Sequence, residues 1–220
     1  MATFLEVVND VMCRMRKDAA FSIAANNYTK LIGKLVLDAK RFAEDAHHWS
    51  HLWQSVELTT SSGVEQYSIT GTNGRTTLYQ IIDGTNQNTL KPVTNANFTY
   101  RQKIGTVTSG APSNYRLRGV DSNGALQIDL WPIPAGAYTL WVDAIIPQDN
   151  FAVDGTADAT EISVPWEPIA LRAWAYAMKE RGEDQSAGFN EALSEAKRSL
   201  ARAIVLDRNN QPENRAYRVV

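Results

Sequence analysis

The stretch WEPIALRAWAYAMKERGEDQSAGFNEALSEAKRSLARAIVL, Trp166 to Leu206, decides the fold of this chain, because it carries the longest uninterrupted helical signal. In its second half Phe189, Leu193, Ala196, Leu200 and Ala203 recur at steps of four, three, four and three, which lays one narrow apolar stripe along a helix. Glu191, Glu195, Lys197, Arg198 and Arg202 fall off that stripe, so the helix is expected to be half buried. The first half opens with Pro165, Trp166, Glu167 and Pro168, where proline is tolerated because first-turn N–H groups lack intrahelical partners. Ala170, Ala173, Trp174 and Ala177 then give a face of mostly small residues that permits close helix approach, and Gly182 ends the segment. From Asp207 to Val220 the chain turns polar around Pro212, yet it finishes in Arg215, Ala216, Tyr217, Arg218, Val219 and Val220. An apolar anchor on a polar tether points to a partner.

Working outward, the N-terminal part is also helical. Thr3 followed three residues later by Glu6 forms a capping-box pattern, and Leu5, Val8, Val11 or Met12, and Met15 continue it, predicting a helix over Phe4 to Arg16. A second helix starts at Asn26 and Asn27 and ends near Trp49, with Leu31, Leu35, Phe42, Ala46, Trp49 and Trp53 expected on one face. The two tryptophans read as apolar surface packed where the helical part meets the next element.

That element changes period. Val56 and Leu58, Tyr67 and Ile69, then Leu126, Ile128 and Leu130, then Tyr138, Leu140, Val142 and Ala144 alternate as strands do. Turn residues separate them at Thr72 to Gly74, Asp83 and Gly84, Ser109 to Pro112, and Ser122 to Gly124. Strand signals without helices between them predict an antiparallel sandwich or barrel, with residues 86–97 as a long hairpin or mobile loop. The fold class is therefore α+β: a helical bundle built from residues 1–54 and 151–208, an inserted antiparallel β domain over 55–150, and an extended tail over 209–220.

Composition narrows the function. With 22 Lys plus Arg against 24 Asp plus Glu, the formal charge is −2 and the pI about 5.9, unlike a base-reading nucleic-acid binder. A protein that merely surrounds nucleic acid needs no basic excess. The single cysteine, Cys13, reads as a buried thiol in a reducing compartment. The acidic residue by position 6 and the lack of a basic leader read against an ordinary secretory signal, and no apolar run reaches the length of a membrane span. A chain that is soluble and made inside a cell is expected.

No GxSxG, GxxxxGK[ST], GxGxxG or HExxH pattern occurs, so no catalytic site and no cofactor is assigned. His47 and His51, four apart, could share a metal, but two ligands are not a site, and a solvated helix end is the preferred reading. Asp154, Asp158 and Glu161 do not match a calcium loop and read as a solvated turn. Trp131 and Trp141 could stack on sugars, although their places on alternating strands favour core or interface. Arg198, Arg202, Arg208, Arg215 and Arg218 make the C-terminal end locally basic, either a solvated face or a contact for an acidic partner or a nucleic-acid backbone.

The order of helix, helix, β insertion, helix, helix and tail resembles the head-to-tail adaptor proteins of tailed bacteriophages, the group that includes tail tubular protein A of short-tailed phages. The local matches are TFLEVVNDV (Thr3 to Val11), YTKLIGKLVLDAKRFAEDAHHWSHLW (Tyr28 to Trp53), LQIDLWPIPAGAYTLWVD (Leu126 to Asp143) and VPWEPIALRAWAYAMKERGED (Val164 to Asp184). Phe42, His47 and His48 depart from the more acidic or aromatic run expected before the tryptophan. The resemblance implies a non-enzymatic virion protein, assembled in the host cytoplasm as a ring of twelve copies under the portal. It implies contacts to portal and next tail component, and non-specific passage of double-stranded DNA. It implies a portal-docking tail at Arg215 to Val220, subunit packing through Trp174, Phe189, Leu193 and Leu200, and a basic face at Arg198, Arg202 and Arg208. A carbohydrate-binding β module on a helical oligomerisation stalk is the main alternative, and a hydrolase using scattered carboxylates a third.

Overall fold

The structure is a computed structural model that describes residues 2–104, 108–183 and 186–210. It divides into a helical unit, residues 1–52 with 148–220, and a β unit, residues 53–147.

In the helical unit, α1 (Phe4–Arg14) starts on the expected capping box: Thr3 Oγ1 accepts the Glu6 N–H at 3.2 Å and the Glu6 carboxylate accepts the Thr3 N–H at 2.8 Å. It buries Phe4, Val7, Val8, Val11 and Met12. Cys13 lies one residue past that face and is exposed, not the buried thiol expected, since a step of about 100° carries it to the solvent side.

The helix α2 (Asn27–Ala46) is capped by Asn26 and Thr29. Its buried face is Ile32, Gly33, Val36, Ala39 and Ala43, one residue out of step with the expected stripe. Leu35 is buried, but Phe42 is 42% exposed and Ala46 is also exposed. The small residues settle the choice, because Gly33, Ala39 and Ala43 admit neighbours more closely than the large-residue side can. The face also holds Lys40 and Glu44, which pair at 2.9 Å with side chains 1% and 0% exposed, so its pattern looked polar in sequence. The Lys40 ammonium donates to the Gln148 and Asp149 carbonyls at 2.9 and 3.2 Å and lies 4.8 Å from the Phe151 ring centre. Phe42 instead lies under the Arg172 guanidinium, 3.4 Å from its ring centre.

The helix α4 (Trp166–Glu180) packs against α1, α2 and α5 (Ala187–Asn209). It buries Ile169, Ala170, Leu171, Ala173, Ala175 and Ala177, and Gly182 ends it at φ 78°. On α5 the expected stripe forms: Ala192 and Ala196 are buried, and Phe189, Leu193, Leu200 and Ala203 half-buried. The helix continues through Asp207 to Asn209, so the polar segment begins later than its composition suggests.

The β unit holds β1 (Trp53–Thr59), β2 (Gln66–Ile69), β3 (Thr77–Asp83), β4 (Asn88–Thr89), β5 (Lys91–Pro92), β6 (Ser109–Gly110), β7 (Asn114–Val120), β8 (Leu126–Trp131), β9 (Ile133–Pro134) and β10 (Thr139–Ile145). Two sheets, β1-β10-β3-β4 and β2-β8-β7-β5, share one core of Tyr67, Ile69, Ile81, Leu90, Tyr115, Leu126, Ile128, Leu130, Leu140 and Val142. Burial raises the Tyr115 phenol above its ordinary range. Pairing is antiparallel except where the short β5 joins β7 and β6 joins β9. The expectation of strands alone is corrected: α3 (Asn95–Lys103) follows β5, capped by the Thr94 side chain. Phe98 is its one buried residue, seated under the Arg116 guanidinium at 4.2 Å from the ring centre, and a single anchor leaves no period to read. Arg116 in turn grips Asp129, which is fully buried, at 2.6 Å.

Trp49 and Trp53 fall in different units. Trp49 is 1% exposed in the helical unit, its indole N–H donating to the Ala43 carbonyl at 2.7 Å. Trp53 is 44% exposed on β1, edge-on to Tyr79 at 4.7 Å.

Candidate interaction site

The C-terminal end of α5 is fixed by a carboxylate. The apolar stripe steps from Ala203 by four residues onto Asp207, and instead of another apolar side chain the face receives a charge that is 6% exposed. A carboxylate at a helix C-terminus meets the negative end of the dipole and is unfavourable unless donors surround it. Here they do. His47 Nε2 lies 3.0 Å from Oδ2, so that nitrogen carries the proton, because a carboxylate only accepts. The Ser50 N–H points at both oxygens, 3.4 and 3.2 Å away, and the Ser50 hydroxyl donates to Oδ1 at 2.5 Å.

These donors exist because α2 stops at Ala46. His47 is extended (φ −157°, ψ 149°), and a short turn of 3-10 helix follows over Ser50 to Leu52. That early stop breaks the helical spacing of His47 and His51, yet both rings face the same carboxylate, His47 Nε2 at 3.0 Å and His51 Nδ1 at 4.0 Å. His47 is not a solvated helix end: its ring is 9% exposed, edge-on to Trp49 at 5.0 Å and held by Asp207, while His51 is half exposed. No group of three or more His, Cys, Asp or Glu side chains among the described residues is placed to hold a metal.

Beside this node is a cleft of about 460 Å³ between the N-terminal turn of α4 and the last turns of α5. Its apolar walls are Trp49, Trp166, Pro168, Ala203 and Leu206, Glu167 and Arg202 line it as exposed charged groups, and the buried Asp207 borders it. Trp166 and Leu206 are 39% and 57% exposed, and Val205 nearby is 56% exposed.

Trp174 is half-buried on α4, with the Arg14 guanidinium 5.7 Å from its ring centre and its indole N–H buried without a partner among the described residues. Phe189, Leu193 and Leu200 lie along the α5 stripe, each half-buried. Arg198, Arg202 and Arg208 are all exposed. Arg198 and Arg202 are one turn apart on a shared face, whereas Arg208 lies about 120° round the helix from Arg202. Arg215, Ala216, Tyr217, Arg218, Val219 and Val220 lie outside the described residues.

Of the acidic cluster, Asp154 is exposed and held below the usual carboxylate range by the Thr156 hydroxyl at 2.6 Å and then the Thr156 N–H at 3.0 Å. Asp158 is not simply solvated: it is half-buried and accepts the Ile23 N–H at 3.3 Å. Trp131 is core, 9% exposed, whereas Trp141 is 41% exposed on β10. Gly84 leaves room for it, since a Cβ there would stand 2.8 Å from the Trp141 indole nitrogen.

Sequence reading missed the Asp207, His47 and Ser50 node. One signal was present, a polar residue at the next stripe position after Ala203, but its partners lie 157 and 160 residues away.

No helix among the described residues is long and apolar enough to cross a membrane. A protein-family model described as SU10 adaptor protein matches residues 2–217, and no curated protein matches the chain.

Proposed function

This chain belongs to the SU10 adaptor protein family and is a structural phage adaptor, and from that premise we propose that it forms a head-to-tail ring joining the portal to the tail. In this reading twelve copies surround the channel through which double-stranded DNA leaves the capsid, after assembly in the host cytoplasm. The role is structural and involves no turnover. The helical units pack side to side through Trp174, Phe189, Leu193 and Leu200, whose half-buried surfaces leave apolar area for a neighbour. The segment over 209–220 docks onto the portal through Arg215, Ala216, Tyr217, Arg218, Val219 and Val220. The β unit meets the next tail component, with Trp53, Tyr79 and Trp141 as its exposed aromatic surface. Arg198 and Arg208 face portal or DNA, and a net charge of −2 suits a conduit, because strong phosphate attraction would slow passage.

The observation that carries this reading is the Asp207 node. A tether that must find a distant partner gains affinity when its origin is held still, since less freedom is lost on docking. Buried donors hold the last turn of α5 in that way. The test is native mass spectrometry of the protein with the portal ring of the same phage. Removing residues 209–220 is expected to abolish binding to the portal, and unchanged binding overturns the docking role. The same exposed aromatics suit a sugar-binding surface, and saturable binding on a glycan array would favour that second reading of the β unit.

A further inference from the structure

Phe21 is 87% exposed, the most exposed of the large apolar side chains among the described residues. It does not sit on a slack loop. Asn9 on α1 clamps the preceding residue from both sides, its Nδ2 donating to the Ala20 carbonyl at 3.0 Å and its Oδ1 accepting the Ala20 N–H at 2.8 Å. The following residue, Ser22, caps a turn of 3-10 helix by accepting the Ala24 N–H at 3.2 Å. Ile23 is then fully buried and donates its N–H to the Asp158 carboxylate. An aromatic ring carried outward on an anchored backbone loses little freedom on being covered, which is the property of an interface anchor.

The cleft beside Asp207 is the complementary feature. Phe21 lies just before α2, and two of the cleft residues, Trp49 and His51, lie just after it. Ile23, two residues on, packs at Gly33, and Trp49 bonds the Ala43 carbonyl, so about 15 Å of α2 separates the two features and the anchored Phe21 does not reach its own chain's cleft. Charge agrees with the match. Lys17 and Asp18 precede Phe21 on its loop, while Glu167 and Arg202 line the cleft, and none of these four has an ion pair among the described residues.

We propose that Phe21 of one copy seats in the Trp49, Trp166, Pro168, Ala203 and Leu206 cleft of the next copy, with Lys17 meeting Glu167 and Asp18 meeting Arg202. Two different surfaces on one molecule make a heterologous junction, which closes into a ring when the rotation between copies allows. The inference rests on the ring reading above and names the contact that links its members.

The experiment uses Phe21→Ala and Leu206→Glu in the full chain, both at exposed positions that leave folding intact, which unchanged melting verifies. Association between copies is measured by native mass spectrometry and sedimentation, alone and with the portal ring. Each variant is expected to weaken association by roughly tenfold or more. Mixing the two variants is expected to give pairs and nothing larger, because one intact cleft and one intact Phe21 remain. Wild-type assembly by either variant, or a mixture that yields no pairs, overturns this junction and leaves the ring standing. A native chain that stays single under both conditions overturns the junction and the ring together.

Discussion

Replacing Asp207 by alanine isolates the anchor at the end of α5, and its cost follows from the geometry. The carboxylate is 5% exposed at the side chain and has the His47 ring, the Ser50 N–H and the Ser50 hydroxyl as donors. Ser50 itself is exposed, so its hydroxyl can turn to water, but the His47 ring is covered and the Ser50 N–H had faced the carboxylate. Leaving a buried donor without a partner costs about 1–3 kcal/mol. Part of that loss is offset because the carboxylate no longer has to be desolvated at the negative end of a helix. The net expectation is about 3 kcal/mol, at the lower end of the cost of breaking a buried pair from one side. For a chain of this length that lowers the melting temperature by roughly 6–12 °C in calorimetry. Asp207→Asn keeps an acceptor and is expected to lose about half as much, while replacing Asp207 and His47 together by leucine should cost less than the alanine change alone. A melting temperature for Asp207→Ala within about 2 °C of the native chain would refute the claim that this carboxylate fastens the helix end.

The buried Lys40 and Glu44 pair gives a second prediction: Lys40→Met removes the ammonium that faces the Glu44 carboxylate inside the helical unit and lowers stability by about 3–5 kcal/mol, and adding Glu44→Leu restores most of it in urea unfolding. The third concerns acid. Asp154 is held below its ordinary range mainly by the Thr156 hydroxyl, so Thr156→Val raises its titration midpoint toward that range, read by NMR of the carboxyl carbon. A depressed folded value stabilises the protein above the unfolded value and loses that effect as pH falls through the folded one, so the variant is the weaker at neutral pH and the difference closes in acid. An unmoved midpoint in the variant counts against the Thr156 assignment.

By itself the sequence determined whatever repeats locally. The capping box at Thr3 and Glu6 is a three-residue relation, and the α5 stripe and the inward positions of β8 and β10 follow from a fixed period, so each was legible in one window. Only the tertiary structure decided between faces that the period leaves nearly equal. On α2 the large side chains of Leu31 and Phe42 competed with Ile32, Val36, Ala39 and Ala43, and the face with the smaller residues was buried, with Leu35 at its edge, because it lets neighbours come close. α3 hangs on Phe98 alone, so no pattern could announce it. The node at Asp207 and the presentation of Phe21 depend on partners far away in the chain, His47 and Ser50 for one and Asn9 and Asp158 for the other. Such groups look like ordinary solvated residues until folding removes the water around them, and only then does the need for a hydrogen-bond partner fix where each must stand.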